Sequence, residues 1–456
     1  MQLFSYVFQH NILADYSYIC TVESKDKEIK RIAFPAIITN ISVPLMSMAD
    51  VAVVGHIGAA SYIGAVAIGA SVFNMIYWLL NFLRIGSSGM TAQAFGRNDR
   101  TEIRAIFYRG FTLALGLSLV ILLFNRPIGR AMIDFMDPDA ATRTLAEAYF
   151  TVAVWGAPAV LVTYVLSGWL LGMQNSRAIM LVSIIINVIN ICLSVTFVFA
   201  LGWEIKGVAA ATAVSQWLGA FALAGYIAKK YRVAFPGRAL IFRLAEFKKL
   251  ISVNADIFLR TLCLVLVTVW FTRSGARQGV DILSANALLM QLFTFFSYFI
   301  DGFAFAGEAL AGKYYGASSR ADLSHLVKSL FKWGIALSLV FMAAYFFAGN
   351  ALLSLLTDNR PIIDICDKYI GWAAVIPVAG VTAFVFDGVF VGMMQTRAML
   401  VSIAFAAVVF FAVYFIFDSR LGNHALWLAF VLYLATRGVV ELLLYSNKLR
   451  HLTWTK

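Results

Sequence analysis

The chain has 456 residues, of which 61% are hydrophobic and only 13% charged, with a formal net charge of +12. Soluble globular domains are about 45–50% apolar and about 25% charged, so this composition excludes a soluble protein and indicates one embedded in a lipid bilayer. The surplus of positive charge does not indicate nucleic acid, because the basic residues gather in alternate loops.

Residues 1–30 carry Phe4, Tyr6, Phe8, Tyr16 and Tyr18 and then a charged run. They lack the basic start, apolar core and cleavage site of a secretory signal and read as a leader. Twelve apolar blocks of about 20 residues or more follow, each long enough to cross a bilayer as a helix. They lie at about 31–55, 61–88, 106–124, 146–172, 179–201 and 207–228, then 250–274, 283–311, 329–348, 368–393, 399–418 and 425–446. Spans beyond 25 residues imply tilt or kinks. The short alternating segments of a β-barrel do not occur, so the fold class is an all-α integral membrane protein.

Ionisable residues inside these blocks stand out, since one at mid-bilayer costs about 2.5–3.5 kcal/mol on insertion scales. The first block contains Asp50, and the second holds Arg84. Asp50 reads either as a protonation switch, because burial disfavours a charged carboxylate, or as hydrogen-bonded structural glue. In the seventh block Asp256 and Arg260, four residues apart, read as an intrahelical pair. The run Phe293-Thr-Phe-Phe-Ser-Tyr-Phe299 reads mainly as packing or lipid contact, with one face able to wall an amphipathic ligand. Asp301 and Glu308, seven apart, share a helix face; with Asp387 and Arg260 they are candidate substrate or ion contacts. Glu308 near its block's end reads equally well as a solvated carboxylate.

Other chemistry is missing from the pattern. The loop Ala94-Phe-Gly-Arg-Asn-Asp-Arg100 has no phosphate-binding glycine pattern, and no Walker motif occurs. Cys20, Cys192, Cys263 and Cys366 are scattered, without metal or redox spacing. His10, His56, His325, His424 and His451 fall in leader, loop, tail or span-end positions. No cofactor, metal or catalytic constellation is therefore expected, and a membrane enzyme is the disfavoured class.

With the N-terminus inside, 24 of the 36 Lys and Arg fall on inner segments, 9 on outer ones and 3 within spans. The positive-inside rule then places both termini in the cytoplasm. A shift of 220 residues brings the two halves into register. Leu117-Ser-Leu-Val120 meets Leu337-Ser-Leu-Val340, and Ser167-Gly-x3-Gly-Met-x2-Ser-Arg-Ala178 meets Asp387-Gly-x3-Gly-Met-x2-Thr-Arg-Ala398. Six spans per half is an even number, so the halves enter the membrane in the same sense and are related by an axis along its normal, the plan of parallel-repeat transporters. The expected domains are the leader 1–30, an N-lobe 31–228, a basic cytoplasmic linker 229–249, a C-lobe 250–446 and a cytoplasmic tail 447–456. The acids do not follow the repeat. Asp50, Asn190, Thr212 and Ser194 meet Trp270, Phe410, Leu432 and Tyr414, while Asp301, Glu308 and Asp387 meet Asn81, Ser88 and Ser167.

Three segments carry a family resemblance: Pro44-Leu-Met-Ser-Met-Ala-Asp-Val-Ala-Val-Val-Gly-His-Ile-Gly58, Phe82-Leu-Arg-Ile-Gly-Ser-Ser-Gly-Met-Thr-Ala-Gln-Ala-Phe-Gly96 and Asp301-Gly-Phe-Ala-Phe-Ala-Gly-Glu-Ala309. Over roughly residues 28–446 the chain resembles the multidrug and toxic compound extrusion (MATE) transporters, within them the DinF branch. The resemblance implies an antiporter of the bacterial inner membrane that exports small organic, often cationic or amphipathic, compounds against inward protons or sodium ions by alternating access. It implies no obligate protein partner and no nucleic acid. It places the coupling carboxylate at Asp50, a bend of the first helix at Pro35, and a facing polar cluster at Tyr149, Asn190 and Thr212. One position departs: the family's Asn-x3-Asp pattern reads Asn190-Ile-Cys-Leu-Ser194 here. A single carboxylate among hydroxyls and amides favours proton over sodium coupling. The alternatives are sodium-coupled export by the same fold and a flippase for lipid-linked oligosaccharides. Arg84 and Arg260 in the cleft would suit an anionic group.

Overall fold

The computed structural model describes residues 2–56 and 60–451, with side chains described for most residues from Lys25 to Leu449. Among the described residues, twelve helices are long and apolar enough to cross a membrane. We label them α1 (Lys25–Gly55), α2 (Ser61–Gly96), α3 (Arg100–Leu123), α4 (Ala140–Gly172), α5 (Ser176–Ala200), α6 (Glu204–Tyr231), α7 (Ile251–Arg277), α8 (Val280–Gly316), α9 (Arg320–Ser354), α10 (Ile370–Gly392), α11 (Thr396–Leu421) and α12 (Asn423–Leu449). No strand occurs among the described residues. Several helices outrun the apolar blocks, because they continue past the hydrocarbon into charged turns. The helix containing α1 starts at Gln2, so the expected leader extends the same rod, although the side chains of residues 2–24 lie outside those described. Of the expected tail, residues 452–456 also lie outside the described residues.

Local chemistry sets the breaks. α2 is interrupted at Asn81, whose amide oxygen accepts from Arg84 Nε at 3.2 Å. α3 is capped by Asp99, which accepts from the backbone N–H of Glu102, satisfying one of the donors every helix start leaves over. Short helices at Asn125–Phe135 and Arg360–Asp367 close equivalent connections in the two halves.

Two hydrophobic cores form. One is built from α2 to α6 with Val53 and Val54 of α1. The other is built from α7 to α12 with Ile29, Ile32, Ala33 and Ile37 of α1, Ile85 of α2 and Leu171 of α4. α1 therefore contributes to both cores.

The halves obey the repeat in three dimensions. Asn98 and Ser318 take left-handed backbone conformations, and so do Gln174 and Met394, each pair 220 residues apart. Where α2 crosses α8, a Cβ on Gly96 would collide with the Lys313 carbonyl, and one on Gly316 with the Gln93 carbonyl. Since Gly96 repeats as Gly316 and Gln93 as Lys313, this contact is reciprocal, the signature of a two-fold axis. It permits backbone approach that only glycine allows.

That crossing lies at the end carrying the basic loops. There Gln93 Nε2 donates to the Gly392 carbonyl at 3.0 Å and Gln174 Nε2 to the Ala309 carbonyl at 2.7 Å. Lys25 pairs with Asp322 at 3.0 Å, Lys313 with Glu28 at 3.3 Å and Lys332 with Asp26 at 3.0 Å. Arg84 meets Glu308 further in, at 3.5 Å. The described hydrogen bonds and ion pairs between lobes end at Asn40, which donates to the Tyr298 carbonyl at 3.2 Å. The lobes are sealed at the basic end, and beyond Asn40 no described hydrogen bond ties them.

Candidate functional site

The N-lobe site is assembled on α1, α5, α6 and α4. Asp50 is 6% exposed, one turn before α1 ends. Ser194 Oγ donates to its Oδ1 at 3.2 Å. Asn190, one helical turn earlier on the same α5 face, donates from Nδ2 to Thr212 Oγ1 at 3.2 Å. Thr212 donates in turn to the Val208 carbonyl at 3.0 Å and interacts with both Asp50 and Tyr149. Tyr149 is buried against Gly69, where a Cβ would strike its ring. The structure thus brings Asp50, Ser194, Thr212, Asn190 and Tyr149 together. Asn190 Oδ1 is buried with no hydrogen-bond partner among the described residues. A buried orphan acceptor is expensive, so it marks a place where a donor or cation would be welcome.

At the repeat-related place in the C-lobe, Trp270 and Tyr414 stand where Asp50 and Ser194 stand in the N-lobe. Their rings are 6.2 Å apart and packed with Phe411 and Phe415. The same niche is polar in one lobe and filled with aromatic rings in the other.

The C-lobe holds its own ionic cluster, nearer the basic end. Arg260 of α7 donates from Nη2 to Asp387 Oδ2 of α10 at 2.6 Å. Arg437 of α12 binds the same Asp387 and lies 3.6 Å from Glu441 one turn on. Glu441 is fully buried and accepts from Ser402 Oγ at 3.0 Å. Asp301 lies within electrostatic reach of Arg84, Arg260 and Arg437, yet none of the described ion pairs includes it. Asp387 Oδ1, Arg260 Nε, Glu441 Oε2 and the Tyr433 hydroxyl lack hydrogen-bond partners among the described residues.

Two sequence expectations are corrected here. Asp256 does not pair with Arg260; it accepts from Thr396 Oγ1 at 2.9 Å, and Arg260 turns to Asp387. A carboxylate on another helix can satisfy both a guanidinium and the core around it, which an exposed i, i+4 pair cannot. Glu308 is no solvated carboxylate; at 2% exposed it meets Arg84 across the lobe boundary, whose guanidinium also stacks on Phe305 at 4.4 Å. Sequence reasoning also passed over Arg437 and Glu441 as site members. Their spacing of four inside an apolar block was the signal.

Two prolines interrupt the hydrogen bonding of α1. Pro35 and Pro44 both lie inside its helix. Each removes the N–H that would bond four residues back. The carbonyl that Pro35 frees belongs to Arg31, and it accepts from Ser176 Oγ of α5 at 3.3 Å. Asn187 of α5 donates to the Ser42 carbonyl at 3.0 Å. Side chains of α5 thus support α1 around both prolines.

A two-lobe bundle with parallel repeats, lobes joined by hydrogen bonds and ion pairs at one end and buried ionisable groups in each lobe has the plan of a multi-pass membrane transporter. The comparisons make the class specific. The MatE family model matches residues 35–196 and again 256–416, once in each lobe. The chain is 35% identical over 435 residues to DNA damage-inducible protein F of Escherichia coli K12, covering 94% of both chains. It is 24% identical over 354 residues to "Probable multidrug resistance protein NorM" of Thermotoga maritima, covering 74% of each. The MATE transporter VcmN of Vibrio cholerae in its bent form superposes with a TM-score of 0.85 at 16% identity, over 94% of this chain and 98% of that one. The chain belongs to the MatE family, whose members are transporters and not enzymes.

Proposed function

We propose that the protein is a secondary antiporter that exports small organic compounds, cationic or amphipathic, in exchange for inward protons, with Asp50 carrying the proton. The observation that carries this reading is the donor set around Asp50. An ionised carboxylate offers about four acceptor sites, and the side chains that bond Asp50 are two hydroxyls, Ser194 at 3.2 Å and Thr212, with no cation among them. A neutral acid has an O–H of its own to give, and the Ser194 and Thr212 hydroxyl oxygens beside it can accept it. Gaining or losing the proton therefore rearranges the hydrogen bonds that join α1 to α5 and α6, and so biases a helix already weakened by Pro35 and Pro44.

With the basic end in the cytoplasm, as the positive-inside rule has it, the cleft is closed inward and parts outward. Substrate would then leave as a proton arrives. The unpartnered atoms of Asp387, Glu441 and Arg260, with Asp301, offer polar contacts in the C-lobe. Glu308 stays engaged with Arg84. Because Arg84 and Arg260 each already hold a carboxylate, the cleft has little cationic capacity left for a pyrophosphate, which weighs against the flippase reading. Sodium coupling is the second reading, favoured by the oxygens of Asn190, Ser194 and Thr212 around Asp50.

The test is transport of ethidium by the protein in liposomes under an imposed pH gradient and, separately, a sodium gradient, for wild type and Asp50→Asn. Proton-driven transport lost in the variant, with its unfolding midpoint unchanged, supports the proposal. Sodium-driven transport, or proton-driven transport that survives in Asp50→Asn, overturns it.

A further inference from the structure

At the basic end the described ion pairs take up four cations: Lys25 with Asp322, Lys313 with Glu28, Lys332 with Asp26 and Arg109 with Glu102. One place differs. Lys27, Lys30 and Arg31 of α1 and Arg177 of α5 converge with Phe34 and Pro35 on an open concavity of about 370 Å³. No carboxylate lines it, and none of the described ion pairs includes Arg31 or Arg177. Lys30 leans on the Trp333 ring at 4.1 Å. Lys230 brings a further positive charge within reach of Arg31. Asp26 and Glu28 are engaged on the α8 and α9 side.

The residues bordering this concavity are ordered by chemistry. Along α1, positions 27, 31, 34 and 38 form one stripe at helical spacing, basic first and then apolar. Phe34 is 55% and Ile38 46% exposed. A molecule that fits has a compact anionic head at the level of Arg31 and Arg177 and an apolar chain running along Phe34 and Ile38. A soluble anion satisfies only the first half of that description. Alternate basic loops are common in membrane proteins for topology alone, but topology does not require four cations to close on one cavity beside a proline.

We infer that this concavity binds the headgroup phosphate of an anionic phospholipid, which bridges α1 to α5 beside Pro35. The bridge spans the place where Ser176 already holds the carbonyl freed by the proline. Each basic side chain near a membrane surface contributes about 1 kcal/mol toward anionic lipid. A bound lipid therefore holds the basic half of α1 against α5 and favours one setting of the helix that carries Asp50. This consequence for transport rests on the function proposed above; the binding does not.

The experiment measures binding of spin-labelled phosphatidylglycerol to the full chain in neutral detergent, with unlabelled phosphatidylglycerol, phosphatidylcholine and inorganic phosphate as competitors. Phosphatidylglycerol is expected to compete, and the other two are not. Arg31→Gln with Arg177→Gln is expected to weaken binding about 30-fold at an unchanged unfolding midpoint, and Arg31→Lys with Arg177→Lys to restore most of it. Equal competition by phosphatidylcholine would reduce the contact to apolar solvation and overturn the inference. Equal competition by phosphate would make it a soluble-anion site, and unchanged binding in the double Gln variant would remove the site altogether. In liposomes, exchanging phosphatidylcholine for phosphatidylglycerol should alter the transport rate of wild type and not of the double Gln variant. If transport proves sodium-driven, the proton reading falls while the binding result stands.

Discussion

Asp50 and Trp270 occupy the same repeat position and give their lobes opposite characters. One carboxylate with Ser194, Thr212 and Asn190 makes a niche that a proton can alter, whereas Trp270 with Tyr414 fills its counterpart. The departure at Ser194 yields a direct prediction. Ser194→Asp supplies the second carboxylate that a cation in a nearly dry site needs, so a sodium gradient should begin to drive transport in that variant. A response to protons alone would show that carboxylate count does not select the ion. In the C-lobe, Asp387 and Glu441 depend on Arg437. Removing one partner of a buried ion cluster leaves uncompensated charge and costs about 3–5 kcal/mol, so Arg437→Met should markedly lower the unfolding midpoint in detergent. Adding Glu441→Gln should recover part of the loss. Asp50 was legible because a lone acid in an apolar run has few reasons to be there. Arg260 was assigned the wrong partner because helical spacing makes a pair available without making it preferred, and only the packing of α7 against α10 brings Asp387 into competition.

α1 is the element on which the proposed cycle turns. Its basic half is buried in the C-lobe core through Ile29, Ile32, Ala33 and Ile37, and its far half in the N-lobe core through Val53 and Val54. A helix shared in this way must bend or shift if the lobes move, and Pro35 and Pro44 lower the resistance. Pro35→Ala restores an N–H for the Arg31 carbonyl and releases Ser176 from it. The expected result is a stiffer α1 with slower gradient-driven transport, read as a lower initial rate in liposomes at unchanged substrate affinity. An unchanged rate would move the flexible point to Pro44. The sequence displayed the proline within the first apolar block, but it could not display the sharing of α1, because which core a helix face enters depends on helices hundreds of residues away.

At the scale of the whole molecule, the duplicated sequence becomes a duplicated structure, and the seal at the basic end lies on its symmetry axis. The repeat was readable from the Leu117 and Ser167 segments keeping a 220-residue offset, which Gly96 and Gly316 share; the reason for these glycines appears only where each meets the other lobe's backbone. Gly96→Ala with Gly316→Ala should strain the sealed state by about 1–3 kcal/mol per added methyl. Spin labels at Arg100→Cys and Arg320→Cys, on repeat-related positions, should then report a longer separation than in the otherwise wild-type chain, and an unaltered distance would mean that the seal tolerates the methyls. The central claim is that substrate and proton compete through Asp50. Binding linkage requires each to oppose the other's binding. The most direct measurement is proton release on adding saturating tetraphenylphosphonium to the purified protein in weakly buffered detergent solution. The account predicts about one proton released per chain by wild type and none by Asp50→Asn, with the cation still bound in both. Equal release from the variant, or binding by wild type without release, would contradict it.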